Sequence, residues 1–138
     1  MAEEARIKVL AIDDDESILE TYEAGLALFC EVKTFSDSRA ARDFLDSAAP
    51  ADIPDVVLMD IMMPGIGGIV LMTHILSMPK TSHVPVITVS GKSDDATVKD
   101  ALLFGAADFV AKPFDFITLK EKIIKAFEAS RKKPSGPG

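Results

Sequence analysis

Apolar residues along this chain fall into short continuous runs that alternate with stripes at helical spacing. The runs are Val9 to Ile12, Val56 to Met59, Val84 to Val89 and Asp108 to Ala111, and the mixed segment Glu31 to Phe35 reads as a further short strand. The stripes are Ile18, Tyr22, Leu26 and Phe29; then Phe44, Leu45 and Ala48; then Ile69, Met72, Ile75 and Leu76; and last Phe116, Ile117, Ile123, Ile124 and Phe127. One further helix is predicted between the last two runs, capped by Ser93, with Asp94 and Asp95 in its first turn and Gly105 at its end. Ser36-Asp37-Ser38 offers N-cap candidates for the second helix, Pro79 stops the third, and Pro85 sits near the start of the fourth strand, where proline is tolerated.

Five strand–helix units with short connections predict an α/β fold. An unbroken apolar run such as Val56 to Met59 suits a parallel strand covered on both faces. Right-handed crossovers then give a doubly wound five-stranded parallel sheet with helices on both faces, and a chain this short suits the flavodoxin-like order 2-1-3-4-5.

Four of the runs lead straight into a reactive polar residue: Asp13-Asp14, Asp60, Ser90 and Lys112. In such a sheet the carboxyl ends of all strands share one edge, where ligands bind. Strands 1 and 3 are neighbours about 4.8 Å apart, so Asp13, Asp14 and Asp60 must crowd one another. Crowded carboxylates raise one another's pKa values, and a hard divalent cation such as Mg²⁺ relieves them. Lys112 supplies a further positive charge for an anion joining the metal. The set is that of a phosphoryl-transfer site.

Composition narrows the function classes. A chain of 138 residues fits one domain, read as residues 1–130, with the Arg-Lys-Lys-Pro-Ser-Gly-Pro-Gly of 131–138 as a flexible tail or linker start. The net charge of −7 argues against nucleic acid as a direct partner. Cys30 is the only cysteine and reads as a small buried hydrophobe. No apolar stretch is long enough to cross a bilayer, and the first residues lack the features of a signal peptide, so a cytosolic protein is expected. His74 and His83 are expected on a helix surface and in a loop, without metal-ligand partners.

Four segments, in this order and at these distances, resemble the receiver domain of two-component response regulators, of the chemotaxis-regulator type. They are Ile12-Asp13-Asp14-Asp15, Leu58-Met59-Asp60-Ile61-Met62-Met63-Pro64-Gly65-Ile66-Gly67-Gly68, Val86-Ile87-Thr88-Val89-Ser90-Gly91, and Gly105-Ala106-Ala107-Asp108-Phe109-Val110-Ala111-Lys112-Pro113-Phe114. The resemblance implies that Asp60 accepts a phosphoryl group from a histidine kinase or phosphotransfer protein. It implies Mg²⁺, with Mn²⁺ as a substitute, held by Asp14 directly, Asp13 largely through water, Asp60, and the backbone carbonyl of Met62. Ser90, Lys112 and the Gly91 amide would hold the phosphoryl oxygens. Ser90 and Phe109 would form a conformational switch toward a target protein or an output domain. Such a domain is a signalling phosphoacceptor, acting as an enzyme only on its own phosphorylation and dephosphorylation. Phe109 and Ser90 stand where tyrosine and threonine are frequent in the family.

Each residue also has a plainer reading. Asp15 is best read as a helix cap, Asp60 taken singly as a turn residue, Lys112 as a solvated lysine. Met62 argues against a phosphohydrolase, which needs an acid there, and the acidic loop after strand 1 against a flavin-type phosphate cradle. The alternative left open is a receiver-like interaction scaffold independent of phosphorylation. Met62 and Lys92 also suggest slow loss of a phosphoryl group, since neither orients water well.

Overall fold

Each apolar run forms a strand and each stripe a helix, in the order β1 (Ile7–Ile12), α1 (Glu16–Leu26), β2 (Cys30–Phe35), α2 (Ser38–Ser47), β3 (Val56–Met59), α3 (Gly68–Ser77), β4 (Val86–Ser90), α4 (Asp95–Leu103), β5 (Asp108–Ala111) and α5 (Phe116–Lys132). The computed structural model describes residues 6–61, 67–91 and 95–132. All strand pairs are parallel, and the sheet order is β2-β1-β3-β4-β5. The doubly wound architecture expected from the periodicity is therefore the one observed.

Alternation along each strand sends side chains to two separate cores. Leu10, Ile12, Val57, Met59 and Val86 face Leu71, Met72 and Ile75 of α3, Leu45 of α2 and Ala101 of α4. Val9, Ala11, Val56, Leu58, Ile87 and Val89 face Leu19, Tyr22 and Leu26 of α1 and Leu119 and Ile123 of α5. All four residues of β3 are buried, which is why that run carries no polar residue.

Polar residues cap the first two helices. Asp15 caps α1 by accepting from the Ser17 N–H, as its sequence position predicts, and Asp37 is the member of Ser36-Asp37-Ser38 that caps α2, accepting from Arg39. Gly105 ends α4 with φ of +113°, a conformation that favours glycine. Ser93 and Asp94, expected at the start of that helix, lie outside the described residues.

Several sequence expectations need correction. β4 starts at Val86: Pro85 has no N–H to donate and lies before the strand, although its carbonyl accepts from Val57 at 3.0 Å. Ser90 is the last residue of the strand, not the one after it. Phe29 lies beyond the end of α1. Ile117 is 73% exposed, because the buried stripe of α5 runs through Leu119 and Ile123 and position 117 falls on the opposite side. α5 continues through Arg131 and Lys132, the first two residues expected in the tail; the Arg131 guanidinium lies over the Phe127 ring at 5.3 Å, one turn back.

Cys30 is buried and free, and burial pushes its thiol up to about 12, which leaves it inert at neutral pH. His74 joins α3 to α2 through Asp46 at 2.8 Å, and His83 is exposed in a turn. No described helix is long and apolar enough to cross a membrane.

Candidate functional site

Register brings the acidic residues together. Ile12 of β1 pairs with Met59 of β3, so Asp13 and Asp60 leave the sheet side by side. The ladder continues one step past each strand: the Asp60 N–H donates to the Ile12 carbonyl at 3.0 Å, and the Asp13 N–H to that of Phe35 at 3.1 Å. The backbones beneath both carboxylates are thereby fixed. Asp13 is 1% exposed and Asp60 8%, whereas Asp14 faces solvent. Carboxylate oxygens of Asp13, Asp14 and Asp60 lie within 4.8 Å of one another.

The opposite charge arrives from the other end of the chain. Ser90 pairs with Ala111 across β4 and β5, and the Lys112 N–H donates to the Ser90 carbonyl at 2.9 Å. From there the Lys112 ammonium donates to Asp13 Oδ2 at 2.7 Å and to Asp60 Oδ2 at 3.1 Å. Asp13 Oδ1 accepts from the Asp15 N–H at 2.9 Å. Asp15 thus closes the loop over Asp13 while it caps α1. Ser90 is fully buried at the end of the strand between those preceding Asp60 and Lys112. At Gly91, which follows it, an added Cβ would meet no atom of the described residues within 4 Å.

Burial and charge oppose each other within this cluster. Burial pushes the Asp13 carboxyl above the usual carboxylate range, with the Asp60 charge adding to the rise and the hydrogen bonds from Lys112 and Asp15 opposing it. Burial also works against charge on Lys112, but the hydrogen bonds to Asp13 and Asp60, with their negative charges, hold it above the usual lysine range. It is an ammonium at neutral pH. A carboxyl raised on folding binds more protons in the folded than in the unfolded state between its two values. The Asp13 contribution to stability is therefore fully present below its ordinary value of 3.8 and lost as pH rises through the higher folded value. In chelator-treated protein, urea midpoints are expected to fall over that interval. Asp13→Asn should flatten the fall; an unchanged slope in that variant would refute the attribution.

Gly68 closes the site from behind. Its N–H donates to the Ile61 carbonyl at 3.4 Å, and an added Cβ would lie 2.3 Å from Ile61 Cα and 2.6 Å from the Asp60 carbonyl oxygen. Gly67 precedes it at φ +78°. Both glycines are thus required where the chain turns back past Asp60.

The residues expected to form a switch lie on adjacent strands. Phe109 is half-buried and pairs in register with Thr88, two residues before Ser90 on the same face of β4. In the sequence Thr88 is only one member of an apolar run, yet its buried hydroxyl has no hydrogen-bond partner among the described residues. Met62 and Lys92, expected to supply a metal-ligating carbonyl and to affect phosphoryl lifetime, lie outside the described residues. Tyr22 is visible in the sequence only as part of a helical stripe; a hydroxyl at a core position is the one signal that sets it apart.

An oxygen-only cluster with a hydrogen-bonded ammonium can hold a hard cation beside a transferable anion. The response regulator receiver domain matches residues 9–124, and the chain belongs to that family. The response regulator PleD of Caulobacter vibrioides is 32% identical over 117 residues, covering 84% of this chain and 25% of PleD. The chain thus spans about a quarter of that relative. Chemotaxis protein CheY4 of Vibrio cholerae superimposes with a TM-score of 0.79 at 25% identity, over 88% of this chain and 99% of that one. The DrrB receiver domain, solved in a BeF3-activated form, gives 0.75 at 32% identity, over 90% of this chain and 99% of its own. The family is that of two-component signalling.

Proposed function

We propose that the chain accepts a phosphoryl group on Asp60 from a phosphohistidine of a sensor kinase or phosphotransfer protein, in a Mg²⁺-dependent reaction. The observation that carries this reading is the Lys112 ammonium hydrogen-bonded to both Asp13 and Asp60, within a cluster that also includes Asp14. In the step itself, a carboxylate oxygen of Asp60 attacks phosphorus, the P–N bond breaks, and the departing imidazole takes up a proton. Asp13, Asp14 and Asp60 fit a Mg²⁺ site by their oxygen donors and spacing, and the resemblance to receiver domains adds the Met62 carbonyl as a ligand. A Mg²⁺ held there would neutralise charge on the phosphoryl oxygens. Lys112 neutralises the same charge from the β5 side, while the Ser90 hydroxyl and the Gly91 amide hold the remaining oxygens. The mostly positional chemistry of phosphoryl transfer requires little more.

BeF3 mimics a phosphoryl group, and the BeF3-activated form of the DrrB receiver supports the same use of the pocket. Signalling then follows from Ser90 drawing toward the phosphoryl group and Phe109 turning into the space it vacates, a population shift. The receiver unit runs through the end of α5, its location is cytoplasmic, and its target is a separate protein or an output domain of a longer chain.

Incubation with acetyl phosphate and Mg²⁺ is expected to add one phosphoryl mass, absent in Asp60→Asn and after chelation. Undiminished labelling of Asp60→Asn would move the acceptor elsewhere, and an unlabelled wild type would leave the phosphorylation-independent scaffold.

A further inference from the structure

Lys112 reaches the carboxylates from the loop between β5 and α5, and contacts from α1 hold that loop. Tyr22 is 1% exposed, and its ring stacks on Phe114 with centroids 5.6 Å apart and planes 8° apart. Phe114, two residues after Lys112, meets Phe116 edge-on at 5.6 Å and 88°. Phe116 in turn lies against α1 one turn further along, where a Cβ on Gly25 would come 2.1 Å from its ring. Tyr22 and Gly25 are three residues apart and so share a face of the helix. That face grips the loop on both sides of Asp115, which anchors the first turn of α5 by accepting from the Thr118 N–H at 2.7 Å. At its other end α1 is joined to Asp13 through the Asp15 N–H. One rigid helix therefore connects the buried carboxylate to the loop that carries its cation.

We propose that Tyr22 is a positioning residue for phosphoryl transfer, setting through its stack on Phe114 how far the Lys112 ammonium reaches toward Asp13 and Asp60. This rests on the phosphoacceptor reading of Asp60. Rate depends steeply on such placement, since a displacement of about 1 Å costs up to about a hundredfold. The stack is made by the ring alone, at 5.6 Å between centroids, and the hydroxyl takes no part in it. Phenylalanine should therefore substitute, and leucine should not.

The test compares Tyr22→Phe, Tyr22→Leu and, from the other side of the stack, Phe114→Leu. Labelling by acetyl phosphate is followed at saturating Mg²⁺, Mg²⁺ affinity is titrated, and the ¹⁵N signal of the Lys112 ammonium is recorded in metal-free protein, assigned with Lys112→Gln. Both leucine variants are expected to label about tenfold more slowly, to bind Mg²⁺ no more weakly, and to lose the sharp ammonium signal. Tyr22→Phe should match wild type in all three. A folded Tyr22→Leu with wild-type rate and a sharp signal would overturn the proposal, as would Mg²⁺ affinity falling by the same factor as the rate. If wild type takes up no phosphoryl group, the phosphoacceptor reading fails. The ammonium signal still decides the positioning role, supporting it if lost in the leucine variants and refuting it if retained.

Discussion

Lys112→Gln is expected to slow phosphoryl incorporation by about 10²–10³-fold, the cost of removing one preorganised donor from developing negative charge, and at the same time to bind Mg²⁺ more tightly. The two effects have opposite signs because the ammonium has two roles. Toward the phosphoryl group it is an electrostatic partner. Toward the cation it is a competitor, since it already donates to Asp13 and Asp60 at 2.7 and 3.1 Å. Two unit charges about 4 Å apart interact by about 4 kcal/mol at an effective dielectric of 20, so relief of part of that repulsion should strengthen Mg²⁺ binding about tenfold. Without metal the variant should be less stable, because it leaves two buried carboxylates without their cation. Calorimetric titration together with labelling kinetics checks the pair of effects. If Mg²⁺ binding weakens along with the rate, Lys112 is not a competitor for the carboxylates.

Gly68→Ala is expected to cost about 3 kcal/mol, the upper end for forcing atoms into a packed site. The added Cβ would meet backbone on both sides, 2.3 Å from Ile61 Cα and 2.6 Å from the Asp60 carbonyl oxygen. Backbone cannot rotate away as a side chain can. Relief must come from moving the chain at Asp60, so labelling should slow as well. With a urea slope of about 2 kcal/mol per molar the midpoint should drop by about 1.5 M. Gly91→Ala is the control: a Cβ added there would meet no atom of the described residues within 4 Å, and the change should stay within about 0.5 kcal/mol. Equal effects at the two glycines would show that close approach behind Asp60 is not what Gly68 provides.

Much of the fold is legible in the chain because hydrophobic period is a local property. Val56 to Met59 reads as a strand buried on both faces, and is one. Asp15 reads as a cap from its place before a helical stripe, and accepts from Ser17. The convergence of Asp13, Asp14, Asp60, Ser90 and Lys112 also follows once parallel order is granted, since strand ends then share an edge. Failures occur where one-dimensional pattern cannot say which side of a helix meets its neighbour. Ile117 is as apolar as Ile123, yet the docking of α5 on the sheet buries only the latter. Arg131 has the composition of a tail residue, yet it belongs to α5, where its guanidinium finds the Phe127 ring.

Element types, their order and the chemical inventory at the strand ends are thus readable from the chain alone, since each depends on neighbours a few residues apart. Tertiary structure decided how that inventory is wired. Lys112 donates to two carboxylates at once, Gly68 presses against the backbone of Asp60, and Tyr22 lies on the loop that carries Lys112. Those pairings join residues from distant parts of the chain, and their distances are set by how the helices pack against the sheet. No local periodicity encodes that packing.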